Sequence, residues 1–270
     1  MSPAAGATEL HHPRKDPLRA PRRSDCRQRP AGVVRVLDHD PDLMRDLDVE
    51  AAAAARVYAL ARGYVLDNGH WTPPRASQCA GAIGLLLLDG LMTRCVTVKG
   101  IACPELLGQG DVVRPWEELT AFSDGERTTS WRVLKPVTFA VLGDRFAETI
   151  RRWPSIGTAL LTRSIDRSRW LGLQMAVPQV RRADDRLRLL MGDLAGRWGK
   201  VTPYGVVLPL PLTNQLLAEL TCLRRPTVSS TMTRLARTGE IVRRPRAGFV
   251  LNLSEEAGRL GEEGSLRAAA

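Results

Sequence analysis

The hydrophobic rhythm of the chain changes twice along its length. Residues 1 to about 32 are rich in Pro, Arg and His and show no apolar periodicity, so they cannot bury enough surface to fold. A disordered basic tail is expected there, serving either auxiliary contact with nucleic acid or no purpose of its own. Asp40 to about Arg62 predicts a helix, because Ala51 to Ala55 form a stretch of high helix propensity. From Tyr64 to Leu142 the pattern becomes short apolar runs separated by turn residues. These lie at Asp67-Asn68-Gly69, Asp89-Gly90, Lys99-Gly100, Gly108-Gln109-Gly110-Asp111 and Ser123-Asp124-Gly125. Strands spaced so regularly predict an antiparallel sandwich or roll.

Helical spacing returns at about Gly143 and is interrupted by Pro154. A longer helix then runs to about Val177, with Ile156, Leu160, Leu161, Ile165 and Leu171 apolar. Its heptad is imperfect, which suits either a dimer helix or one packed on its own domain. Beyond the break at Pro178, Leu187, Leu190, Met191, Leu194 and Trp198 fall on one helical face and read as core. A short strand, Val206-Val207-Leu208, leads to Thr213, an N-cap whose hydroxyl accepts from a first-turn amide of a helix ending at Leu220. After Thr221-Cys222-Leu223 comes a second helix that turns Val228, Met232 and Leu235 inward, with Pro226 tolerated in its first turn. Ile241 to Arg244 and Gly248 to Leu251 then predict a hairpin with Pro245-Arg246-Ala247 at its tip. The divisions expected are 1–32 (tail), 33–153 (β-roll with flanking helices), 154–177 (connecting helix), 178–254 (winged helix-turn-helix) and 255–270 (flexible end).

Charge sharpens this picture because it is unevenly placed. The formal net charge is +10 over 270 residues, yet Ala31 to Val180 is neutral, with 17 Lys/Arg and 17 Asp/Glu, whereas Arg181 to Leu251 carries 13 against 5. A basic excess confined to one globular segment is the footprint of a phosphate-backbone binder. The outer face of the second helix presents Arg225, Ser229, Ser230 and Thr233, with Thr227 on its flank, a short polar cationic surface of the kind that enters a major groove. Arg225 is the expected base reader, since a forked guanidinium bonds both acceptors of guanine, and Thr227 and Ser229 suit phosphate. The full set expected at DNA adds Thr213, Arg224, Pro226 and Arg234 on the helix pair, and Arg243, Arg244 and Arg246 on the wing.

Other chemistry is less favoured. The five cysteines form no C-x-x-C pair and the four histidines offer no ligand spacing, so neither a disulfide framework, a metal nor another cofactor is expected. No P-loop, G-x-S-x-G or H-E-x-x-H occurs, and an enzyme is not expected. The longest apolar run, around Ala82 to Met92, is too short to cross a bilayer, and no signal-type segment follows the basic start. A cytoplasmic location, with no membrane partner, is the expectation.

Leu212 to Ile241, LTNQLLAELTCLRRPTVSSTMTRLARTGEI, resembles without a gap the helix-turn-helix of the cAMP receptor protein and Fnr (Crp/Fnr) family of bacterial regulators. In that pattern Arg225 takes the place of the guanine-reading arginine and Thr227 that of a phosphate-contacting threonine. Cys222 stands where the turn usually has Gly, and Arg224 where Ser or Thr usually caps the recognition helix. Upstream, Glu105 to Val113 and Gly125 to Trp131 are similar to the family's β-roll turn and the end of its phosphate cassette. The resemblance implies an α+β chain: an N-terminal β-roll, a connecting dimerisation helix on Pro154 to Val177, and a C-terminal winged helix-turn-helix. It also implies double-stranded DNA as partner, a homodimer, and RNA polymerase as a further contact. Arg127, with Thr128, falls where the family holds a cyclic-nucleotide phosphate. The glycine of that motif is missing from Trp116-Glu117-Glu118-Leu119, and adjacent carboxylates repel a phosphate. The alternative function carried forward is a small-anion sensor acting through the roll.

Overall fold

The computed structural model describes residues 26–74, 79, 81–116, 127–244 and 248–252. The N-terminal half is a seven-stranded antiparallel sheet built from β1 (Gln28–Arg35), β2 (Leu60–Leu66), β3 (Gly69–Trp71), β4 (Gly84–Val98), β5 (Ile101–Gly108), β6 (Val112–Val113) and β7 (Arg127–Leu142). Its order is β1-β2-β7-β4-β5, with β3 added on β7 and β6 on β4. The sheet folds round so that both faces of β4 are covered. Leu85 and Leu87 enter a core with Trp71, Trp131 and Phe139, while Leu86 and Leu88 enter another with Val36, Leu37, Phe146 and Ile156. Double burial explains why this strand reads as an unbroken apolar run rather than an alternation.

Three sequence expectations are corrected here. Residues 28–32 are not part of a tail but begin β1, which pairs with β2 from Gln28↔Leu66 to Arg35↔Leu60. Only Val34 of this edge strand is even half-buried, so its backbone pairing leaves no hydrophobic signature. The helix expected over Asp40 to Arg62 is confined to α2 (Val49–Tyr58), started by Asp48, whose carboxylate accepts from the Ala51 N–H at 2.7 Å. Before it lie α1 (Val36–His39) and a 3-10 turn (Pro41–Met44); after it the chain passes at once into β2, whose sheet contacts override helix propensity. Asp89-Gly90 is not a turn. It is an irregularity within β4, where the register with β7 shifts and Gly90 adopts φ +100, its missing Cβ leaving room for the Pro136 carbonyl. Lys99-Gly100 does close a hairpin, with positive φ at both residues. Ser123-Asp124-Gly125 lies outside the described residues.

The rest follows the expected order. After α3 (Asp144–Ile150), α4 (Pro154–Ala176) extends for 23 residues. Then come α5 (Ala183–Trp198), β8 (Lys200–Thr202), β9 (Gly205–Leu208), α6 (Asn214–Thr221), α7 (Arg225–Arg237), β10 (Ile241–Arg244) and β11 (Gly248–Leu251). The second sheet runs β10-β11-β9-β8, and β8, whose first two residues are exposed, had no signal in the sequence. Leu91 and Leu106 of the roll and Trp170 of α4 join the same apolar cluster as Leu187, Met191, Leu217, Val228 and Phe249, so roll and C-terminal domain share a core. Among the described residues, no helix is long and apolar enough to cross a membrane.

Candidate nucleic-acid interface

Helix α6 begins at Thr213, whose Oγ1 accepts from the Leu216 N–H at 3.1 Å, as its position in the sequence requires. Leu217, Ala218 and Leu220 are buried beneath it. The chain leaves α6 through Cys222 at φ 53, ψ 37, the left-handed conformation that glycine adopts without strain. The Leu223 N–H then donates to the Ala218 carbonyl at 3.0 Å and closes the turn. Helix α7 starts from Arg224, which makes no side-chain cap, with Pro226 in the first turn. It buries Val228, Thr231 and Leu235, while Met232 is only half-buried.

Opposite that seam Arg224, Arg225, Ser229, Ser230 and Thr233 are exposed, and Thr227 is half-buried. The Ser230 hydroxyl donates to the Thr227 carbonyl at 3.0 Å and the Thr233 hydroxyl to that of Ser229 at 2.9 Å. Each hydroxyl proton is thereby committed to the helix, and the oxygen lone pairs are turned outward as acceptors. Arg234 is exposed as well, and its guanidinium is held by the Asp184 carboxylate of α5.

The wing is the β10–β11 hairpin, paired from Ile241↔Leu251 to Arg244↔Gly248. Arg244 is exposed beside its tip, whereas Arg243 lies 5.5 Å from the Phe249 ring centre and donates to the Leu212 carbonyl at 3.3 Å. Arg246 lies outside the described residues. Two ties from α5 steady this unit. Arg186 donates to the carbonyls of Val180 at 2.6 Å and Thr221 at 3.3 Å, and Arg188 spans Asp185 and Glu240.

Arg127 and Thr128 stand at the far end of β7, paired with Val98 and Thr97 next to the hairpin turn. The cleft between roll and α4, of about 420 Å³, is instead lined by Arg94, Arg114, Trp131, Leu160, Leu161, Ser164 and Arg167, among others. Buried Glu105 accepts there from Arg167 Nε at 2.6 Å and Nη2 at 2.9 Å, and from Arg94 at 3.5 Å. The pairing of Glu105 with Arg167 carried no sequence signal, because the partners are 62 positions apart. Among the described residues no group of three His, Cys, Asp or Glu side chains is placed to hold a metal ion.

Residues 185–255 match the Crp-like helix-turn-helix domain. This segment is a Crp-like helix-turn-helix domain. Such a domain marks a DNA-binding transcription regulator, and in this chain it follows an antiparallel N-terminal sheet and a long helix. Among solved structures it is similar in fold to a mutant of CooA from Carboxydothermus hydrogenoformans, with 16% identity and TM-score 0.50 over 66% of this chain and 78% of that one. A CRP-family transcriptional regulator from Thermus thermophilus aligns at 18% identity and TM-score 0.48, covering 73% and 93%. FixK2 from Bradyrhizobium japonicum aligns at 13% and 0.47, covering 66% and 91%. No curated protein sequence matches this chain.

Proposed function

We propose that this regulator binds DNA as a homodimer in the cytoplasm, lays α7 in the major groove and reads one guanine per half-site through Arg225. The carrying observation is the exposed strip of Arg225, Ser229, Ser230 and Thr233, mounted on a helix whose other side is sealed into a core and flanked by a basic wing. Thr227 and Ser229 bond phosphates, as do Arg224 and the wing residues Arg244 and Arg246; Thr213 and Pro226 bring the helix starts close to the backbone. Arg243 steadies the wing through Leu212 and Phe249. RNA polymerase is the further partner, and the chain itself performs no catalysis.

Dimerisation is assigned to α4, where Leu161, Ile165 and Met175 are 60%, 44% and 76% exposed despite their apolar character. A two-fold pair places the recognition helices in successive major grooves, about 34 Å apart. Sequence selection from a random DNA pool tests the reading. An inverted repeat whose half-sites lie one helical turn apart supports it, and recovery of sequences without a common motif refutes it.

The alternative, an anion sensor, is favoured by the arginines of the roll–α4 cleft but not by Arg127. Glu105 already offsets the charge of Arg94 and Arg167, so a cyclic nucleotide must displace that carboxylate to gain either guanidinium. Calorimetric titration with cAMP and cyclic GMP decides it; the absence of heat is the result this reading expects.

A further inference from the structure

Arg234 stands nine residues beyond Arg225 on α7, which places it about half a turn round the helix axis. From there it reaches α5, while its side chain stays 56% exposed. Its Nε donates to Asp184 Oδ2 at 2.9 Å and its Nη2 to Asp184 Oδ1, a two-pronged grip on one carboxylate. Asp184 lies in the first turn of α5 and is buried, and the Arg234 hydrogen bonds hold its carboxyl below the usual range. The neighbouring contacts fasten the same assembly: Arg188 joins Glu240 just after α7, and Arg186 holds the carbonyl of Thr221 at the end of α6.

We infer that Asp184 and Arg234 form a positioning pair that fixes the angle at which α7 is presented, and that Arg234 makes no phosphate contact. The inference rests on reading α7 as the recognition helix. Arg234 is the only member of the α7 exposed set whose guanidinium is held by a carboxylate among the described residues, and that carboxylate belongs to the helix leading into the DNA-binding domain. Anchoring of this kind keeps contact residues within the small tolerance that groove recognition demands.

A phosphate-binding Arg234 and a positioning Arg234 respond oppositely to loss of Asp184. In the first case Asp184 competes with DNA, and Asp184→Asn tightens binding; in the second it weakens binding. The experiment uses the full chain and two duplexes, one recovered by selection with the wild-type protein and one scrambled, at several salt concentrations. Circular dichroism and thermal unfolding confirm that each variant is folded. Asp184→Asn and Arg234→Met are each expected to weaken the selected duplex about five- to tenfold, with an unchanged slope of log affinity against log salt. Arg234→Lys keeps the charge but loses the fork and is expected to behave like Arg234→Met, and the exchange Asp184→Arg with Arg234→Asp to regain most of the loss. Tighter binding by Asp184→Asn, or a slope flattened by about one unit in Arg234→Met, overturns the pair and restores Arg234 to the backbone. A wild-type protein that does not distinguish the duplexes refutes the recognition-helix reading itself, and the inference with it.

Discussion

Cys222 sits at φ 53, where its Cβ crowds the backbone at a cost of roughly 1–2 kcal/mol that glycine escapes. Cys222→Gly is therefore expected to raise stability by about 1 kcal/mol in urea titration, part of the relief being spent on the freer unfolded chain. Asp193 makes a second residue-level case. Burial pushes its carboxyl up to about 6, with Arg197 and Trp170 only partly opposing the shift. The folded protein thus holds this proton more tightly than the unfolded chain, so the associated stability is present at low pH and lost as pH rises from about 4 to 6. Asp193→Asn should remove that loss, gaining about 1 kcal/mol on wild type between urea titrations at pH 5 and pH 8. An unchanged difference would place the titration elsewhere. Residues such as Thr213, Val228 and Leu235 were legible from the sequence because capping and helical periodicity act within a few positions. The engagement of Arg234 by Asp184 was not, since the two are 50 positions apart and nothing local marks an arginine as already held.

At the scale of elements, legibility followed burial. Helix α5 shows its stripe because Leu187, Leu190, Met191 and Leu194 all face one core. Strand β1 escaped notice because neither of its faces is buried, and the bend at Gly90 passed for a turn because glycine serves both purposes. Helix α4 was left open between two roles, and its contacts bear on both. Ile156, Leu160 and Trp170 are buried within the chain, while Leu161, Ile165 and Met175 face outward. If the outward residues meet a second copy, a charge placed there is costly only in the dimer. Leu161→Glu with Ile165→Glu should yield a folded monomer in light scattering, with operator affinity reduced by at least tenfold through loss of the second half-site. A double variant that remains dimeric would move the interface elsewhere.

Across the whole molecule, the roll and the DNA-binding domain are joined by polar contacts as well as by a shared core. Arg197 of α5 donates to Asp111 at 2.7 Å and Trp198 Nε1 to the Gln109 carbonyl at 3.4 Å, while Arg167 ties the connecting helix α4 to Glu105 of the roll. Burial raises the Asp111 carboxyl, while Arg197 and the Gly108 N–H favour its charged form. These ties explain why the turn at Gly108 to Asp111 is built as it is, although the sequence disclosed only that a turn was there. The regional charge was the most legible feature of all, because it survives any folding of the segment that carries it. It leads to the central claim, that Arg225 reads a base while Arg244 and Arg246 hold the backbone. The most direct test is the affinity of Arg225→Ala for the selected operator and for scrambled DNA over a range of salt concentrations. Arg225→Ala should lose about 1–3 kcal/mol on the operator, relax preference at one base pair per half-site, and leave scrambled binding nearly intact. Equal losses on both duplexes, with a salt slope flattened by about one unit, would make Arg225 a phosphate clamp and contradict the account.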